Sequence, residues 1–185
     1  MNNHPASKPA SAAARHSSEI PGLRLGLDFA GVIIRSGVIS RPGGTIFDDE
    51  VPRSSHLRPG ALAAVSELVS RTSGQVWIVS KAREEMQPVI RGYLEAIDFF
   101  ARTGLSPHSV HFTLDRAGKR TVCLENRITH FLDDRLEVLE LLEEAVPYRF
   151  WFTEEDERDR VPSGVCAVVD WQEALDRLSP LSNSP

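Results

Sequence analysis

The chain has 185 residues, 41% hydrophobic and 25% charged, which suits one α/β domain with a real core and is too short for two full domains. Its formal net charge of −5 offers no broad basic field for nucleic acid, although a local basic rim is compatible with it. No apolar stretch approaches the roughly 18 residues of a membrane span, and Cys123 and Cys166 have neither paired spacing nor histidine-rich surroundings, which fits reduced, packed thiols in a cytoplasmic protein better than zinc or a disulfide framework.

Residues 1–20 are rich in Ala, Ser and Pro, carry no acid before Glu19 and lack an apolar stretch. They read as a disordered tail rather than a targeting peptide, and 180–185 read as a second tail. The domain is expected over 21–179. Strands are predicted at about 23–28, 75–79, 109–113, 128–132, 148–152 and 165–169, alternating with helices, the pattern of a parallel sheet with crossover helices. Between the first two strands, Leu62, Val65, Leu68 and Val69 share a helical face, with Pro59-Gly60 at its start and Gly74 near its stop. The next helix carries Met86, Ile90, Leu94 and Ile97, and Pro88 requires it to begin near residues 85–87. Leu136, Leu139 and Leu142 stripe another, and Asp170-Trp171-Gln172-Glu173 has the form of a capping box opening the last.

Residues 31–58 are punctuated by Gly31, Gly37, Pro42 and Gly43-Gly44 around two β-prone runs, Val32-Ile33-Ile34 and Thr45-Ile46-Phe47. That predicts a hairpin lying over the end of the first strand. Arg35, Arg41, Arg53 and Arg58 gather in this region, as solvated side chains or as a grip for an anion. His108, His111 and His130 have no metal-ligand spacing and read as core or surface residues, Trp77, Trp151 and Trp171 as packing residues, and residues 154–160 as a solvated charged loop.

The first strand feeds Asp28 into a glycine turn, Asp28-Phe29-Ala30-Gly31, and a carboxylate at such a strand end faces the crevice where doubly wound sheets hold ligands. The fourth strand closes on Asp133-Asp134. Two adjacent carboxylates at an apolar strand end repel each other and are costly to desolvate unless a cation joins them. Mg²⁺ is the expected cation, being hard and served by carboxylates, waters and phosphate oxygens.

Asp28-Phe29-Ala30-Gly31, Ser80 after the second strand, Gly118-Lys119 at a helix start and Asp133-Asp134 resemble, in the same order, the four motifs of the haloacid dehalogenase-like (HAD) superfamily. The resemblance covers roughly Leu23 to Leu178. It implies a HAD-like Rossmannoid α/β fold, a parallel sheet flanked by helices with a small β-hairpin flap and no large cap. By the same resemblance Asp28 is the nucleophile, Ser80 holds a phosphoryl oxygen, and Lys119, with Lys81 as rival, offsets charge. Mg²⁺ is then held by Asp28, the backbone carbonyl of Ala30 and Asp134, with Asp133 a ligand or an acid behind the ligands. Ser80, Lys81, Lys119 and Arg35 are the expected substrate-binding residues.

One position departs from the pattern: the motif usually reads Asp-x-Asp-Gly, and the second Asp is Ala30. Alanine keeps the backbone carbonyl but lacks the carboxyl that protonates the leaving group and activates water, with His56 or Arg35 as candidate substitutes. The expected function is a Mg²⁺-dependent phosphatase acting on a phosphorylated small molecule through an aspartyl-phosphate, without nucleic-acid or membrane partners and with the oligomeric state left open. Two alternatives stand: a non-catalytic phosphate-binding or scaffolding relative, and a C–P bond hydrolase, because phosphonoacetaldehyde hydrolases also read Asp-x-Ala-Gly. A response-regulator receiver domain is disfavoured, since its acidic pair follows the first strand.

Overall fold

The computed structural model describes residues 22–38 and 53–179, so the expected tails and the second run of the expected hairpin, residues 45–47, lie outside the described residues. Six parallel strands, β1 (Leu25–Leu27), β2 (Val76–Lys81), β3 (Val110–Thr113), β4 (His130–Asp133), β5 (Tyr148–Phe152) and β6 (Val165–Val168), form one sheet in the order β3-β2-β1-β4-β5-β6. This is a doubly wound, Rossmann-like sheet. All six strands stand where the sequence predicts them, because each is a short apolar run bounded by turn residues.

Alternation along the strands divides the core between the two faces. Leu25, Leu27, Ile78, Leu132, Phe150 and Val168 pack against helices α1 (Ala61–Arg71), α2 (Gln87–Ala96), α3 (Phe99–Thr103) and α6 (Trp171–Leu178). Val79, Phe131, Trp151 and Ala167 point the other way, toward α4 (Gly118–Glu125) and α5 (Leu136–Leu141). At the centre, Gly26 is required: a Cβ there would stand 2.3 Å from the Phe131 ring, so the bare backbone lets that ring lie across β1.

The helices follow their predicted faces with local differences. In α1 the buried positions are Ala61, Ala64, Val65 and Leu68, with Leu62 and Val69 half-buried. Pro88 sits in the first turn of α2, where its missing N–H has no helical partner to lose. In α5 Val138 and Leu139 are buried while Leu136 is only half-buried, so the face is rotated from the leucine stripe. The sequence gives no helix at α3: Asp98, at φ 53°, breaks the chain after α2, and Phe99 and Thr103 restart a short buried turn. The capping box is half reciprocal. Asp170 accepts from the Glu173 amide, but Glu173 reaches one residue further back, to the Val169 amide.

The run Val32-Ile33-Ile34 is a correction to the expected hairpin arm. It is a fully buried turn rather than a strand, with the Ile33 and Ile34 amides both donating to Phe29 O and the Gly31 amide to Ile34 O. Apolar side chains that a solvent-facing flap would expose are taken into the core. Among the described residues the two ends of this segment meet: Ile34 bridges Leu57 antiparallel, the Arg35 amide donates to His56 O and the Arg58 amide to Ile33 O.

His130 stacks on Tyr148 with ring centroids 4.5 Å apart and contacts the Thr129 hydroxyl through Nδ1 at 2.7 Å. Burial pushes its pKa down to about 4. The unfolded chain, with histidine near 6.5, therefore binds a proton that the native state refuses between about pH 6.5 and 4, and native stability falls on acidification through that window. The loss is at most about 3 kcal/mol, and less because the ring is only half-buried. Urea melts at pH 7 and 4.5 check this: His130→Phe should flatten the difference, and an unchanged difference would remove His130 as its source.

Candidate active site

In a sheet of this order ligands bind beyond the strand ends where the order reverses, here between β1 and β4. Leu27 is in register with Leu132, so one step further along the strands Asp28 stands beside Asp133, and the Asp28 amide donates to Leu132 O. Leu27 and Leu132 face the α1 side, so the next residues turn toward α4. From α4 comes Lys119, 2% exposed, whose Nζ donates to Asp28 Oδ1 at 2.8 Å and Asp133 Oδ2 at 2.7 Å. The same ammonium lies 5.5 Å from the centre of the Phe131 ring. Lys119, not Lys81, is thus the lysine that compensates the acids.

Asp134 completes the cluster: one carboxylate oxygen from each of Asp28, Asp133 and Asp134 lies within 4.8 Å of the others. Asp134 Oδ2 accepts from the Ser36 hydroxyl at 3.0 Å, and its backbone carbonyl accepts from the Trp151 indole at 3.1 Å. Gly31, at φ 89°, makes room for it, since a Cβ there would fall 2.0 Å from Asp134 Oδ2. Ser36 and Trp151 are contributions the sequence reading missed. An exposed loop serine carries no motif, and the tryptophan reads as packing until its indole is seen to donate.

Three carboxylates facing one ammonium set the electrostatics. Burial alone would lower the Lys119 pKa, but Asp28 and Asp133 together raise it. Asp133 is pushed up to about 7 by burial first and by Asp28 next, against the pull of Lys119. Burial and Asp28 also raise Asp134, with the Ser36 bond opposing them. These shifts share one origin: the lysine is held in its charged form by Asp28 and Asp133, while burial and the neighbouring carboxylate disfavour charge on Asp133 and Asp134.

The donor set fits a hard divalent cation. Asp134 Oδ1 is buried with no hydrogen-bond partner, the kind of atom a cation would satisfy. Both oxygens of Asp133 are engaged, Oδ2 by Lys119 and Oδ1 by the Arg135 amide at 3.0 Å, so Asp133 is better suited to stand behind the ligands than to be one. None of the turn's backbone hydrogen bonds is accepted by the Ala30 carbonyl.

Asp28, Ala30, Ser80, Lys81, Lys119 and Asp134 line one cavity of about 340 Å³. Ser80 is buried near the end of β2, and Lys81 is exposed at the mouth. Arg35 is elsewhere. It lines a neighbouring recess with Ser36, Arg58, Pro59 and Glu154, where Arg58 lies 4.4 Å over the Phe152 ring. His56 lines neither space; it is half-buried, with its ring 6.5 Å from that of Tyr93. Neither candidate substitute for the missing acid therefore reaches the cavity wall.

No protein-family model matches the chain, and no curated protein matches it. Among solved structures it is similar to one provisionally assigned as a haloacid dehalogenase-like hydrolase, from Burkholderia xenovorans LB400, at 16% identity and a TM-score of 0.49. The match covers 69% of this chain and spans 60% of that one. The fold and the site geometry stand independently of that likeness.

Proposed function

We propose that the chain is a Mg²⁺-dependent HAD-like hydrolase that transfers a phosphoryl group from a small molecule to Asp28 and then to water. The observation that carries this reading is the buried Lys119 bridge between Asp28 and Asp133, set beside the unpartnered Asp134 Oδ1 at the sheet's switch point. Lys119 fixes Asp28 through Oδ1 and leaves Oδ2 to approach phosphorus. A carboxylate nucleophile divides one difficult displacement into two easier ones. Ser80 and Lys119 then meet the phosphoryl oxygens with a hydroxyl and an ammonium, the electrostatic positioning on which phosphoryl transfer depends. Mg²⁺, held by Asp28, Asp134 and the Ala30 carbonyl, would supply further positive charge against the phosphoryl oxygens.

Asp28→Asn should abolish turnover of an activated aryl phosphate while leaving the far-ultraviolet circular dichroism unchanged, because the amide keeps the shape but is a poor nucleophile. Substantial residual turnover would exclude Asp28. Titration calorimetry with Mg²⁺ should show one saturable site that weakens at least tenfold in Asp134→Ala, and equal affinity in the two proteins would move the cation elsewhere.

Ala30 favours a second reading, a phosphate-binding protein without turnover, because general acid–base help is worth about 10²–10⁴-fold. Ala30→Asp separates the two. In an enzyme it should raise hydrolysis of an alkyl phosphate at least tenfold more than that of an aryl phosphate, whose leaving group needs no proton. In a binder with intact geometry it should create turnover where none existed. No change on either substrate would mean that position 30 does not face the reacting group.

A further inference from the structure

The cavity combines two features that the phosphatase reading leaves unused. Among the described residues its lining has no histidine, no tyrosine and no carboxyl group besides Asp28 and Asp134, and its two ammonium groups are Lys119, engaged by Asp28 and Asp133, and the exposed Lys81. No carboxyl, imidazole or phenol of the described wall therefore stands in for the acid missing at Ala30. Its mouth, by contrast, is rimmed by Lys81, Arg83, Arg116 and Arg135, in a chain of net charge −5. The acids that pair with these arginines do not line the cavity. Arg116 and Arg135 share Glu137, at 2.6 and 3.9 Å, and Arg83 meets Glu85 at 3.1 Å. Exposed pairs of this kind are worth about 0–1 kcal/mol, so a ligand anion can take the arginines over at little cost.

Both features are met by one kind of leaving group. An alkyl ester must expel an alkoxide, about as basic as hydroxide from water of pKa 15.7, and needs a proton that no carboxyl group of the described wall is placed to give as the missing acid would. A departing phosphate has a second pKa of about 6 and leaves without one. The charge it gains falls at the cavity mouth, where the four cations stand.

We infer that the substrate is a phosphoanhydride, its terminal phosphoryl group taken by Asp28 and its second phosphate received by the Lys81, Arg83, Arg116 and Arg135 rim; this rests on the aspartyl-phosphate reading above. An Asp28 oxygen bonds to the terminal phosphorus, the bond from phosphorus to the bridging oxygen breaks, and the electron pair stays on the departing phosphate. No proton moves in that step. Water then attacks the aspartyl-phosphate at phosphorus, the bond from phosphorus to the Asp28 oxygen breaks with its electron pair returning to the carboxylate, and the water's protons leave on the released inorganic phosphate.

The test uses the full chain with Mg²⁺ on methyl phosphate, methyl diphosphate and p-nitrophenyl phosphate. Methyl diphosphate should exceed methyl phosphate in kcat/KM by about 100-fold or more, the range of the missing acid's contribution. Anhydrides are also intrinsically more reactive, so the rim is tested separately. The double variant Arg116→Gln, Arg135→Gln should lower the ratio of diphosphate to aryl phosphate about tenfold. A diphosphate-to-monophosphate ratio below tenfold, or a diphosphate-to-aryl ratio unchanged in the variant, overturns the inference while turnover of the aryl phosphate keeps the phosphohydrolase reading. Absence of turnover on all three substrates removes that reading and the inference with it.

Discussion

The site depends on one buried ammonium. Lys119 is the cation that lets Asp28 and Asp133 stand side by side, each at the end of its own strand and out of water. A buried charge without a partner costs several kcal/mol, and two carboxylates in register add mutual repulsion. The sheet topology creates that problem by bringing β1 and β4 together, and α4 answers it by crossing the face toward which both acids turn. Even Gly26 belongs to this arrangement. By yielding space to the Phe131 ring, it sets an aromatic surface within 5.5 Å of the lysine.

Asp134 is held differently, by contacts that no motif announces. The Trp151 indole fixes its carbonyl from β5, Ser36 fixes one carboxylate oxygen, and Gly31 leaves the room it occupies. Trp171 performs a similar task from α6, donating to Val32 O and anchoring the turn that follows Asp28. The backbone at Asp134 is thus tied to β5 and the turn after Asp28 to α6, each by one indole hydrogen bond, so distant parts of the chain fix the geometry of the acid cluster.

The sheet was legible in the sequence because each buried parallel strand is a continuous apolar run with punctuation at its ends. Asp28 and Asp133-Asp134 were noticed for a related reason, since charges at the ends of apolar runs need a physical explanation, whereas Lys119, at a helix start among polar residues, was singled out by the resemblance alone. What was not legible is whatever depends on distant partners. Val32-Ile33-Ile34 has the composition of a strand, yet Gly31 and the Phe29 carbonyl turn it into a buried loop. Arg35 lies close in sequence to Asp28 but faces the Arg58 recess, and α3 begins at an Asp98 backbone conformation that composition does not disclose.

Ala30 separates two tasks that a single motif usually combines. Charge compensation within the acid cluster is carried by Lys119, and the side chain at position 30 supplies none of it. For proton transfer, by contrast, the described wall offers no carboxyl group in place of the one that Ala30 lacks, beyond Asp28 and Asp134 themselves. Losing that side chain therefore leaves the electrostatic cradle whole and shifts the demand onto the bond being broken. In the proposed reaction a group that departs as a stable anion would suit such a site, and Lys81, Arg83, Arg116 and Arg135 line the same cavity. In the reaction proposed above, the acidic floor would receive the phosphoryl group and the basic rim would favour the charge that leaves it, so that the two act as one device.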